Sequence, residues 1–127
     1  MITQTFFLKA MAKQRPRLGR GGVVYTPKET VLFEKTLARL ARWQFKISSK
    51  AIFGIEENVG INLVFTFKRP KKTKLKTPRG DLDNFVKSSL DALNKVLFDD
   101  DRQVSLLVAR KQFGEKDSIK ISIWCLK

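Results

Sequence analysis

Six of the chain's twelve carboxylates lie between positions 81 and 101: Asp81, Asp83, Asp91, Asp99, Asp100 and Asp101. A helix N-cap and a turn account for one Asp at each end of a helix. Three in a row at a helix C-terminus are not explained that way, because the dipole there disfavours anions. Carboxylates drawn together to about 4 Å repel by roughly 4 kcal/mol per pair at an effective dielectric near 20. A divalent cation removes that penalty. Hard oxygen donors without imidazole or thiolate suit Mg²⁺, with Mn²⁺ as a substitute. Such an ion activates water and polarises phosphoryl oxygens, which is the chemistry of phosphodiester hydrolysis. Lys87 follows Asp83 by four residues and shares its helix face. Two roles are open to it: an exposed ion pair worth little, or a cation set against a scissile phosphate. Asp91 and Lys95 repeat the spacing and read as an ordinary pair.

The rest of the composition is the reverse of this acidic island. The 127 residues carry 26 Lys and Arg against 12 Asp and Glu, a net charge of +14. Positions 81 to 101 hold six Asp against Lys87 and Lys95, a local charge of −4, so the remainder carries +18. That excess points to a polyanionic partner, nucleic acid first. The contacts are expected from Lys13, Arg15, Arg17 and Arg20, and from a second run holding Lys71, Lys72, Lys74, Lys76 and Arg79. Seven of the twelve residues from Lys68 to Arg79 are basic, and so dense a run costs free energy unless something neutralises it. With no His and only Cys125, the chain builds no Cys/His zinc site, no Ser-His-Asp triad and no internal disulfide. No apolar run approaches the ~18 residues of a membrane span, and the start does not read as a signal peptide. A soluble cytoplasmic protein is expected.

The elements that must position these residues follow from periodicity. Residues 2–9 read as a strand, and 10–24 as a cationic loop. Thr26-Pro27-Lys28-Glu29 is a capping box in which the Thr26 hydroxyl accepts from the Glu29 amide. It opens a helix from Pro27 to about Phe45, with Phe33, Leu37, Leu40 and Gln44 or Trp43 on its apolar face. Ile61, Leu63, Phe65 and Phe67 alternate as a strand. A second helix is expected from Asp81 to about Leu97, with Leu82, Phe85, Val86, Leu90, Leu93 and Leu97 buried. Residues 104–112 and 119–126 read as a hairpin turning at 113–117. Phe98 has core spacing, which is favoured over a wedge entering DNA. The whole is a single α+β domain over residues 1–127, with a predominantly antiparallel sheet and two main helices.

The segment RGDLDNFVKSSLDALNKVLFDDDRQV, Arg79 to Val104, closely resembles the signature of the RusA family of Holliday junction resolvases. It shows an Asp-Leu-Asp-Asn motif opening a helix, a Lys four residues after the second Asp, an Asp-Ala-Leu in mid-helix, and an Asp-Asp pair before Gln-Val. KQRPR and VYTPKET upstream are similar to what phage-type members carry. The resemblance implies a RusA-like fold and a Mg²⁺-dependent endonuclease that resolves four-way junctions by paired symmetric nicks, in recombination and repair, in a bacterial or phage-infected cell. It implies that Asp81, Asp83 and Asp101 are the essential metal-binding carboxylates, with Asp100 an auxiliary acid and Lys87 a catalytic cation near the phosphate. This chain is one residue shorter than the family pattern before the acidic pair, so Asp99 and Asp100 both remain open as the auxiliary acid.

One straight helix from Asp83 to Asp99 would hold its ends ~24 Å apart, too far to share a metal. Either the chain folds back, or a second subunit completes the site. A homodimer, which the resemblance also implies, matches the two-fold symmetry of a junction cut twice. The competing expectation is a non-catalytic basic nucleic-acid-binding protein whose Asp residues are caps and turns.

Overall fold

The strand with the clearest alternation becomes the centre of the sheet. The computed structural model describes every residue except Arg15, Pro16, Val23 and Thr26, and describes Arg17, Val24 and Tyr25 by their backbone alone. Strand β1 (Ile2–Phe6) begins the chain. The segment expected as a loop holds a small antiparallel ribbon, β2 (Arg17–Leu18) with β3 (Val24–Tyr25), joined through a 3-10 turn at Arg20–Gly22. Helix α1 (Lys28–Gln44) follows, then β4 (Asn58–Lys68), helix α2 (Leu82–Leu93), β5 (Val104–Gly114) and β6 (Ser118–Leu126).

The main sheet has the order β1-β6-β4-β5. β4 pairs antiparallel with β6, setting Ile61, Leu63 and Phe65 opposite Ile123, Ile121 and Ile119. On its other edge β4 pairs parallel with β5, with Phe65 opposite Lys111. The α+β class and the mostly antiparallel sheet are as expected; the hairpin is not. β5 and β6 are separated by β4, because alternation records which face a residue occupies and says nothing about the neighbouring strand. The link between β5 and β6 crosses the end of β4, where the Lys68 amide donates to Asp117 Oδ1 (2.8 Å) and the Arg69 amide to the Gly114 carbonyl (3.2 Å).

The sheet face carrying Val59, Ile61, Leu63, Phe65, Ile119, Ile121 and Ile123 is fully buried beneath the two helices. α1 buries Thr30, Phe33, Leu37 and Ala41, a stripe at three and four residues, and turns Trp43 out to 75% exposure. Of the two residues expected to finish that stripe, Gln44 does so, its amide nitrogen donating to the Thr5 carbonyl (3.0 Å). The N-cap of α1 is Pro27 rather than Thr26, with no side-chain cap bond, so the helix begins one residue later than the capping box required; Thr26 itself lies outside the described residues. Among the described residues no helix is long and apolar enough to cross a membrane.

Candidate active site

The acidic residues sit at the two ends of α2, and each end is built differently. At the N-terminal end, Gly80 adopts φ +98°, and a Cβ there would stand 2.5 Å from Cζ of Phe85. Only glycine fits. Lys111, reaching over from β5, donates from Nζ to the carbonyls of Pro78 (2.8 Å) and Gly80 (2.6 Å). This clamp fixes the turn that delivers Asp81. The Asp81 carbonyl accepts from the amides of Asn84 (3.1 Å) and Phe85 (3.3 Å), but its carboxylate makes no cap bond. Asp83 lies in the first turn, where one carboxylate oxygen accepts from the Asn84 amide (3.0 Å). Both carboxylates are exposed and lie at the helix end whose dipole favours negative charge. Lys87 is exposed one turn further on and, among the described residues, lies within ion-pair distance of no carboxylate.

At the other end α2 stops at Leu93, four residues earlier than expected. Asn94 is extended and Lys95 takes φ +66°, after which the Lys95 amide bonds the Phe98 carbonyl (2.7 Å). Val96, Leu97 and Phe98 are all buried, Phe98 completely. Three consecutive side chains cannot share one buried helix face, so burial wins over continued helix. The Phe98 ring is core, as expected, although it is buried outside the helix on which that expectation relied. The chain folds back, and Asp100 becomes the N-cap of a 3-10 turn at Asp101–Gln103. One Asp100 carboxylate oxygen accepts from the Arg102 amide (3.0 Å), while the Gln103 side-chain oxygen accepts from the Asp100 amide (2.8 Å). Gln103 is buried and anchors this turn by donating to the Gly54 carbonyl (2.6 Å).

The Arg102 amide bonded to Asp100 holds that carboxyl below the ordinary aspartate range. Asp101 is pushed up, first by desolvation of its carboxyl and then by the hydrogen-bonded, negatively charged Asp100; the charge of Asp91 adds to this and that of Lys87 opposes it. The fold-back therefore brings Asp101 into the fields of Asp91 and Lys87, midway along α2. Asp81 and Asp83 lie at the N-terminal end of that helix, which is about 18 Å long. Among the described residues no three carboxylates gather closely enough to hold an ion. The donor chemistry fits a hard divalent cation, since Asp81, Asp83 and Asp101 offer exposed carboxylate oxygens. Their spacing within one chain does not complete a shell.

The cations divide into two sets. Lys13 turns inward: Nζ pairs with Glu34 (2.5 Å) and Asp91 (3.0 Å), and its amide donates to the Asn84 carbonyl (3.0 Å). Burial acts to lower its pKa, but the bonds and charges of Glu34 and Asp91 outweigh this and raise it. Its charge is thus neutralised inside the fold, and the partner of Asp91 is Lys13 rather than Lys95. Arg15 lies outside the described residues, and of Arg17 only the backbone is described. Arg20, Lys71, Lys72, Lys74, Lys76 and Arg79 are exposed, as phosphate contacts require. Lys111 and Gly80 escaped sequence reasoning as parts of the site. A lysine on an alternating strand carries no mark of the carbonyls it will meet, although a glycine directly before the first Asp was a usable turn signal.

A protein-family model described as endodeoxyribonuclease RusA matches residues 8–124. A search of curated proteins gives no match.

Proposed function

This chain belongs to the RusA family of endodeoxyribonucleases, and from that premise we propose that it resolves four-way DNA junctions by paired symmetric nicks, as a Mg²⁺-dependent homodimer acting in recombination and repair in the cytoplasm of a bacterial or phage-infected cell. The family match carries the nuclease reading. The support within the fold is the pair of exposed carboxylates, Asp81 and Asp83, set at a helix N-terminus by the Lys111 clamp. Asp81, Asp83 and Asp101 would hold the ion, with Asp100 as auxiliary acid. The bound Mg²⁺ would supply an activated water and neutralise the leaving oxygen. Lys87, one turn from Asp83, offers its ammonium to charge developing on the phosphate. Arg20 and the cations from Lys71 to Arg79 hold the flanking phosphates, with Arg15 and Arg17 assigned to the same task. Cleavage leaves 5′-phosphate and 3′-hydroxyl ends.

A second subunit answers the spacing problem. β5 is an edge strand whose Leu106, Leu107 and Val108 are 44–47% exposed, an uncharged run in a strongly cationic chain. An unpaired apolar edge of this kind calls for a cover. Two copies of β5 paired antiparallel about a two-fold axis would direct Asp101 of a second copy, just ahead of its β5, toward the far end of β5 where Lys111 holds the Asp81 turn. Asp81 and Asp83 would then share an ion with that Asp101.

The test incubates a synthetic four-way junction with the protein and Mg²⁺, beside Asp83→Asn and Asp101→Asn. Wild type should give paired nicks, and both variants should bind the junction without cutting it. Mixing the two inactive variants should recover cleavage from the mixed dimers, since one of their two sites is intact. Cleavage by neither the wild type nor the mixture, with binding retained, would return the chain to the competing reading of a non-catalytic nucleic-acid binder. The absence of a three-carboxylate cluster among the described residues of one chain is the observation that favours that reading.

A further inference from the structure

Beside the Asp81 turn lies a cavity of about 570 Å³ that the proposed chemistry leaves without a role. Its inner wall is apolar, made by Ala10, Phe67, Phe85, Phe113 and Pro78, with Leu75 overhanging. Phe67 and Phe85 are packed ring to ring, with centroids 5.1 Å apart. Its rim is cationic: Lys9, Lys68, Arg69, Lys71 and Arg79. The carboxylate in the lining, Asp117, already accepts from the Lys68 amide. The Arg69 guanidinium stands 4.9 Å over the Phe113 ring and donates to the Leu75 carbonyl (3.3 Å), so one flat cation is held in place before any ligand arrives.

Two demands are made on an occupant at once. Five cations call for negative charge, and an aromatic floor calls for a flat apolar face. A free phosphate ignores the floor, and so do the acidic side chains of a peptide, which carry no ring. A nucleotide meets both demands, with phosphates on the rim and base on the floor. A base inside an intact duplex has no free face to offer, whereas a branch point supplies unpaired or easily unpaired ones. The cavity is also tied to the acidic residues. Arg79 on its rim is separated from Asp81 by Gly80 alone, and Phe85 in its floor is the ring against which Gly80 packs.

We propose that this cavity holds one unpaired nucleotide of a branched DNA, next to the phosphate presented to Asp81. It is a branch-reading subsite: DNA with no base to release leaves the floor uncovered, and the strand is held by its phosphates alone. This rests on the nuclease reading for its neighbouring phosphate, but the binding step can be examined without cleavage.

The experiment uses the full chain in EDTA and four-way junctions carrying 5-iodouracil at one position at a time, with photocrosslinks mapped by mass spectrometry. The expected result is a crosslink from one position close to the branch to Phe113 or to the Thr73–Arg79 peptide, with none from the same base in intact duplex. Thr73→Trp, which fills the mouth, should lower that crosslink about ten-fold while leaving duplex binding and its salt dependence unchanged, since stacking is lost and phosphate contacts remain. Leu75→Ala, which strips the overhang, should lower it as well and serves if the tryptophan variant folds poorly by circular dichroism. Crosslinks spread evenly over branched and duplex DNA, or unaltered in both variants, would overturn the subsite. A wild type that crosslinks as expected but never cuts with Mg²⁺ would overturn the nuclease reading and leave the subsite standing.

Discussion

The two ends of α2 carry the same residue type and use it in opposite ways. At the N-terminal end the backbone is held by others, Lys111 and the Gly80 turn; the Asp81 carboxylate makes no cap bond, and that of Asp83 accepts from the Asn84 amide next to it. At the C-terminal end an aspartate holds the backbone itself: Asp100 caps the turn that Gln103 anchors, and Asp101 is left beside it with a raised pKa. An aspartate whose carboxylate caps its turn is a poorer candidate for a ligand than one without that task. This separates Asp101 from Asp100, two residues that look alike in the sequence.

The sharpest test of that contrast is Asp101→Asn against Asp100→Asn. The first should lower junction cleavage by at least about 100-fold. The second should lower it by no more than about ten-fold and leave the urea midpoint unchanged, since the asparagine oxygen caps the turn as the carboxylate does. Equal losses of cleavage would erase the distinction between the two. At the other end, Gly80→Ala forces a side chain into the left-handed region and against the Phe85 ring, and should cost about 2–3 kcal/mol in the same assay. Lys111→Met should cost less stability, about 1 kcal/mol, but should raise the Mg²⁺ concentration for half-maximal cleavage about ten-fold while DNA affinity stays level. A Lys111 that merely packs would not move the metal requirement. The smallest effect is expected at Lys95, where φ +66° is strained for a side chain: Lys95→Gly should stabilise the protein by about 0.5 kcal/mol and leave cleavage unchanged.

Much of this was legible in the sequence, and the parts that were not have common physical causes. The alternation of Ile61 to Phe67 and the three-to-four spacing of Phe33 and Leu37 report burial directly, because they are local consequences of strand and helix geometry. The parallel pairing of β5 was hidden because strand partners depend on contacts distant along the chain. The end of α2 was misplaced because Leu93 and Leu97 keep helical spacing; the consecutive burial of Val96 and Phe98 beside Leu97 is what breaks it. For the site, the motif singled out residues by type and spacing but not what each is bonded to. Lys13 was grouped with the phosphate-binding cations by charge alone, yet two carboxylates from different helices converge on it. Charge is a property of sequence; the availability of that charge is a property of the fold.

The parallel β4–β5 pair has one more consequence. The basic segment between β4 and α2 is tied at both roots, by the Arg69 amide on Gly114 and by Lys111 on Pro78 and Gly80. Its interior residues therefore carry little of the task of bringing those roots together, and doubling the length of such a loop costs only about 0.6 kcal/mol in closure entropy. The frame and its basic loop can change at different rates: residues 70 to 77 are free to be lengthened, shortened or exchanged while Asp81 stays where the sheet puts it. Changes in this segment would alter the basic surface of the protein without rebuilding the turn that carries Asp81 and Asp83.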